Sequence, residues 1–189
     1  MSDVYIQKNI HTLISAFAII RKNLPNLTLK IAGKAIDQNY LLEIRDAIVS
    51  AKLEDAVELL GEKSTTELIK LYQSCALFVF PSTVETFGNP LVEAMACGTP
   101  IVSSDSAAMP EILENAAKYF DPGNVTDMAD TILSVLENQS EKQELITLAI
   151  SRARSFSWHK TAAKTADVIK SVAPTRSSSV TKIEDCTPN

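Results

Sequence analysis

The chain switches its hydrophobic period again and again along its length, and that alternation limits the available folds more than any other feature. From Asn9 to Leu24, Ile10, Leu13, Ile14, Phe17 and Ile20 recur at three and four positions, the apolar stripe of an amphipathic helix, and Pro25 and Asn26 end it. Leu27 to Ala32 then alternates as a strand does and closes at Gly33. The exchange repeats with a helix from about Tyr40 to Lys52, a strand from Val57 to Leu60 closed by Gly61, and a helix from about Thr65 to Gln73. Ala76 to Phe80 is apolar at every position, as in strands covered by helices on both faces. Beyond it the pattern predicts a helix over Pro90–Cys97, a strand at Ile101–Ser103, a helix near Pro110–Asn115 and a strand at Lys118–Phe120. Helices over Val125–Asn138, Glu141–Ser155 and His159–Val172 complete the series. Strands alternating with helices imply right-handed parallel crossovers, so the expected class is α/β with a doubly wound, open parallel sheet. Ligands of such sheets bind beyond the carboxyl ends of the strands.

With 189 residues, one domain is expected over 1–173; the Thr-, Ser- and Pro-rich stretch 174–189 is expected to be a disordered tail. A formal net charge of -5 leaves no basic surplus for a phosphate backbone, so no nucleic-acid partner is expected. Cys75, Cys97 and Cys186 have neither a paired spacing nor a metal-ligand spacing. They fit a reducing compartment, and no leader or apolar run of membrane-spanning length is visible, so a cytoplasmic address without a transmembrane segment is expected. A peripheral place at a membrane would need an anchor on another domain. His11 and His159 lie far apart, and neither has an identifiable partner for acid–base work.

The chemistry concentrates in Phe78 to Pro100. A buried strand runs into Pro81 and Ser82, a loop carries Glu85, Thr86, Phe87 and Gly88, and a helix begins at Asn89 and Pro90. Asn is a preferred N-cap and Pro suits the first helical position. A helix start there should offer the unpaired N–H groups of Leu91 and Val92 to a diphosphate. Gly88 leaves room for close approach of a ligand to the backbone. The carboxylates of Glu85 and Glu93 suit pairs of hydroxyls, one set on a hexose and the other on a ribose. Two glutamates alone would read as solvated surface groups. The surrounding string decides otherwise.

The run PSTVETFGNPLVEAMACGTPIVSSDSAAMPEIL resembles the signature of family 4 retaining glycosyltransferases of the GT-B fold, and KNIHTLISAF, LTLKIAG and FSWHKTAAKTADVI are similar to flanking elements of their C-terminal donor-binding domain. The resemblance covers about Lys8 to Val172. It implies a Rossmann-like half of a GT-B fold that binds a nucleoside-diphosphate sugar, a UDP-, GDP- or ADP-sugar. In that family Glu85 matches the acid near the reacting centre and Lys8 the lysine that neutralises the leaving diphosphate; these are the two catalytic candidates. Glu93 matches the ribose ligand, and Phe87 and Gly88 would offer backbone N–H groups to the sugar. Leu91 and Val92 would do so to the diphosphate, and Gly33 and Asn89 complete the donor-binding set. The resemblance implies neither metal nor other cofactor.

The family also carries an N-terminal acceptor-binding domain, and its donor domain opens with a strand ending in Gly-Arg. Only MSDVYIQ precedes Lys8 here. The first strand is therefore expected to be truncated, with Val4 to Ile6 as a stub, and the central slot of the sheet to be left with unpaired backbone groups. By itself the chain is expected not to transfer sugar; it would need the acceptor-binding half, on the same polypeptide or separately encoded. The alternative is a non-catalytic module that binds a nucleotide sugar or a partner.

Overall fold

Residues 3–172 are described in the computed structural model. The tail expected over 174–189 lies outside them. The chain divides into two compact units, one ending at Ser155 and the other beginning at Phe156. The second contributes one described helix, α8 (Trp158–Val172), whose first turn is closed by the Thr161 amide donating to the Ser157 carbonyl.

In the first unit the alternation of periods becomes alternating elements. These are α1 (Ile10–Asn23), β1 (Leu29–Ala32), α2 (Gln38–Ser50), β2 (Val57–Gly61), α3 (Thr65–Ser74), β3 (Phe78–Phe80) and α4 (Asn89–Ala96). Then come β4 (Ile101–Ser104), α5 (Met109–Leu113), β5 (Lys118–Phe120), α6 (Val125–Glu137) and α7 (Gln139–Ala153). The predicted stripe of α1 is buried at all five positions. Burial of each such side chain contributes about 1.5–3 kcal/mol. Local chemistry sets several starts: Ser64 and Glu67 form a reciprocal capping box on α3, and Asn124 and Asn138 cap α6 and α7. The start of α1 is satisfied from a distance, because the amides of Ile10 and His11 donate to the Tyr40 hydroxyl of α2 at 2.8 and 3.4 Å.

All strand pairings are parallel, and the helices pack in a continuous series, α2 and α6 against α1, α7 against α6 and α4, and α5 against α4. The class is α/β with parallel sheets, as expected. The single open sheet, however, is interrupted: β1 pairs only with β2, and β3–β4–β5 form a second sheet. The expected stub is shorter than Val4 to Ile6. Val4 alone makes a parallel bridge, to Ala35, while Ile6–Lys8 turn into a 3-10 helix.

That interruption corrects a second expectation. β3 has the all-apolar sequence of a strand covered on both faces, yet Ala76 is exposed and Leu77, Phe78 and Val79 are only half-buried. β4, flanked by neighbours on both edges, is buried throughout. The difference is positional: one edge of β3 faces a slot that no described strand occupies.

The segments after the strands converge at the carboxyl ends. The Val4 amide donates to the Lys34 carbonyl beyond β1, and the Thr83 amide beyond β3 donates to the Gln7 carbonyl. Asn9 Nδ2 donates to the Pro122 carbonyl beyond β5 at 2.9 Å. Three bonds thus carry the turn holding Lys8 into the loops where an α/β sheet binds ligands.

Candidate donor-binding site

The centre of the site is an ion pair between residues 77 positions apart: Lys8 Nζ lies 2.5 Å from Glu85 Oε1, with the two side chains 11% and 14% exposed. The Thr83–Gln7 backbone bond accounts for it, since it ties the Lys8 turn to the start of the Glu85 loop. Lys8 is held further by rings, its Nζ lying 5.1 Å from the Tyr5 centroid and 5.6 Å from that of Phe80. Largely withdrawn from water, the pair is screened less than a surface salt bridge would be.

Lys8 and Glu85 line a polar cavity of about 230 Å³ with Asp3, Tyr5, Thr86, Phe87, Gly88, Asn89 and Pro90. Small-molecule pockets usually hold about 300–1,000 Å³. This one is smaller than that range. Among the described residues lining it, Lys8 is the only cation.

Gly88 is what lets the loop enter α4. Its φ is +80°, a Cβ added there would come within 3.0 Å of Leu91 Cδ1, and it is the N-cap of the helix. This corrects the expected start at two points. The Asn89 side chain makes no cap bond, and Asn89 is already helical. The Leu91 amide is not unpaired either: it donates to the Gly88 carbonyl at 2.9 Å, because the left-handed Gly88 tightens the first turn. Leu91 is fully buried and Val92 half-buried, and neither lines the cavity.

The second carboxylate lies elsewhere. Glu93 is exposed on α4 and accepts a hydrogen bond from the Tyr72 hydroxyl of α3 at 3.1 Å. Burial first, and the Glu93 charge second, hold the Tyr72 phenol far above its ordinary range. The same two causes, in that order, raise the Cys97 thiol. Glu93 and Glu85 thus belong to separate neighbourhoods, and only Glu85 lines the polar cavity. Gly33 is buried at the end of β1, donates to the Gly61 carbonyl at 2.9 Å and does not line that cavity either.

Three residues that matter here were not singled out from the sequence. Asn9, buried with φ +53°, anchors the Lys8 turn to the segment after β5, and also accepts from Thr12 Oγ1 at 2.6 Å. Tyr72 orients Glu93. Ser82 is buried at the exit of β3, where its carbonyl accepts from Ser104 Oγ at 2.6 Å, while its own Oγ has no hydrogen-bond partner among the described residues. An asparagine beside a motif lysine, a residue type that tolerates the left-handed backbone, was the one local signal available; the other two depend on long-range packing.

The family profile of glycosyl transferases group 1 matches residues 1–152. The chain belongs to that family. Relatives of this group 1 glycosyltransferase chain include the O-antigen chain mannosyltransferase B of Escherichia coli, 32% identical over 117 residues, 62% of this chain and 31% of that protein. Glycogen synthase of Mycobacterium tuberculosis is 32% identical over 165 residues, 86% of this chain and 39% of that protein. The chain therefore spans well under half the length of these relatives. Anabaena HepE, solved in complex with UDP and glucose, superposes with a TM-score of 0.82 at 27% identity, over 91% of this chain and 47% of HepE. That superposition agrees with a Rossmann-like half of a GT-B glycosyltransferase.

Proposed function

We propose that this chain is the nucleotide-sugar-binding half of a retaining, family 4 type glycosyltransferase, and that the cavity between Lys8 and Gly88 receives the diphosphate–hexose junction of the donor. The observation that carries the proposal is the Lys8–Glu85 pair lining one polar cavity with the Phe87–Asn89 backbone. An arriving diphosphate competes with Glu85 for the Lys8 ammonium, and the released carboxylate is then free to accept hydrogen bonds from sugar hydroxyls. Donor binding thus exchanges an internal ion pair for two ligand contacts, one to each partner. Glu93, oriented by Tyr72, is assigned to the ribose hydroxyls, at the far end of a ligand longer than the cavity.

In this reading the leaving phosphate takes the acceptor proton on the face it departs from, so the anomeric configuration is retained. The chain supplies positioning and charge stabilisation, and no metal is called for. The acceptor belongs to an N-terminal half. HepE, solved with UDP and glucose, and the mannosyltransferase and glycogen synthase relatives support a nucleoside-diphosphate hexose as the ligand class. The cytoplasm, where such donors are made, is the proposed address.

A second reading, a binding module without turnover, draws on Lys8 being the only cation among the described residues lining the cavity. Arginine would grip phosphate bidentately, whereas lysine acts as a point charge. Calorimetric titration with a panel of UDP-, GDP- and ADP-sugars tests the donor assignment. Saturable binding of one class, modestly weakened in Lys8→Ala, is expected; no binding of any of them at millimolar concentration would refute it. Transfer on pairing with an acceptor-binding half separates the enzyme from the module.

A further inference from the structure

A helix leaves its first amides without an intrahelical acceptor, and an asparagine at the N-cap is the usual remedy. Asn9 holds that position before α1, yet its side chain makes no cap bond. Its backbone is left-handed, its Nδ2 donates to the Pro122 carbonyl at 2.9 Å, and its Oδ1 accepts from Thr12 Oγ1 at 2.6 Å. The cap comes instead from Tyr40 of α2, a side chain only 2% exposed. Its hydroxyl accepts from the Ile10 amide at 2.8 Å and from the His11 amide at 3.4 Å. Because Tyr40 takes these amides, the Asn9 side chain is released to tie the Lys8 turn to the segment after β5.

The same hydroxyl has a third neighbour. His11 Nδ1 lies 3.0 Å from it, with the two rings edge to face. A hydroxyl has one hydrogen and two lone pairs, and the two amides occupy the lone pairs. The hydrogen is therefore given to His11 Nδ1, which leaves the imidazole with its own hydrogen on Nε2. All three valences of the Tyr40 hydroxyl are thus spent on the first two residues of α1.

These residues stand next to the donor cavity. Lys8 reaches Glu85 from the turn Ile6–Lys8, and only Asn9 separates that turn from α1. A first turn of α1 that loses its acceptor shifts, and carries Lys8 with it. We propose that Tyr40 is a positioning residue of the donor cavity: it lines no part of that cavity and fixes, through the start of α1, where the Lys8 ammonium stands. Its effect on ligand binding rests on the reading of the cavity as a diphosphate site; its effect on the Lys8–Glu85 pair does not.

The test uses the full chain, with UDP as the probe. At about pH 8, above the ordinary imidazole range, nitrogen NMR of the labelled wild-type chain should show His11 with its hydrogen on Nε2. A hydrogen on Nδ1 would overturn the proposal even if no variant folds. Tyr40→Phe keeps the buried ring and removes the hydroxyl. It should weaken UDP binding by about two- to threefold in calorimetry, no more than Lys8→Ala does, and shift the Lys8 Nζ signal. Added to Lys8→Ala it should cause no further loss, since a residue that acts through Lys8 then has nothing to act on. Ile44→Val, which thins another fully buried position of α2, should change neither readout and so separates positioning from a general loss of stability. Equal weakening with and without Lys8→Ala, or an unchanged Lys8 signal in Tyr40→Phe, would overturn the proposal. If UDP binds no form of the chain while the Lys8 signal still follows Tyr40→Phe, the donor reading fails and the positioning role stands.

Discussion

Replacing Glu85 with glutamine should tighten the binding of a bare nucleoside diphosphate while impairing sugar transfer. In the free chain Lys8 is held by a carboxylate, and both side chains are nearly nine-tenths withdrawn from water. A hydrogen bond to a charged group contributes about 1.5–3 kcal/mol net and a neutral one about 0.5–1.5 kcal/mol. In Glu85→Gln the diphosphate therefore competes for Lys8 against a partner weaker by about 1–2 kcal/mol. Loss of a negative charge beside an incoming polyanion acts in the same direction. The dissociation constant of UDP, or of whichever diphosphate the titration panel selects, should fall about tenfold. The gain should persist at moderate salt, because a sheltered pair is screened poorly. Isothermal titration of wild type and Glu85→Gln at two ionic strengths measures both effects. With the acceptor-binding half present, turnover should fall, since a glutamine side chain cannot supply the charge assigned to the sugar hydroxyls. Unchanged or weaker diphosphate binding in the variant would refute the competition on which the proposed exchange rests.

Other outcomes follow from the same geometry. Gly88→Ala places a Cβ at φ +80° within 3.0 Å of Leu91 Cδ1, and should cost about 1–3 kcal/mol in urea unfolding and weaken donor binding by moving the loop. Tyr72→Phe removes the hydrogen bond to Glu93 and should lower stability by about 1 kcal/mol at neutral pH. Burial raises the folded-state pKa of Tyr72, and that of Tyr119 to about 12, above the ordinary value of 10.0. Their stabilising contribution is complete below pH 10 and is lost as pH climbs beyond it, so the melting temperature should decline there, less steeply in Tyr72→Phe. Lys8→Ala in a two-domain assembly should lower turnover more than donor affinity; single-turnover rates equal to wild type would contradict the leaving-group role.

The readable part of the molecule was that written in local chemistry. The stripe from Ile10 to Ile20 fixed α1, and the switch to Leu27–Ala32 fixed a strand, because one period suits each element. The parallel α/β architecture followed from their order. The start of α4 was read one residue late. Asn89 and Pro90 are both good helix openers, but the left-handed Gly88 was already available as the cap, and that choice took up the Leu91 amide. The exposure of β3 could not be read from its own apolar residues, because burial of a strand depends on its neighbours. Lys8 and Glu85 were nominated separately through a family resemblance, and nothing local indicated that they meet across 77 positions. Glu93 was assigned correctly to α4, but its engagement by Tyr72 depends on the packing of α3 against α4, which no periodicity encodes.

The most direct test is a crystal of the chain soaked with the nucleotide sugar that binds best. The account predicts density for the diphosphate beside Lys8 Nζ, the hexose at the Glu85 carboxylate and the Phe87–Gly88 backbone, and a Lys8–Glu85 separation wider than in the free chain. A ligand bound away from Lys8 and Gly88, or a Lys8–Glu85 pair left intact under a fully occupied donor, would contradict it.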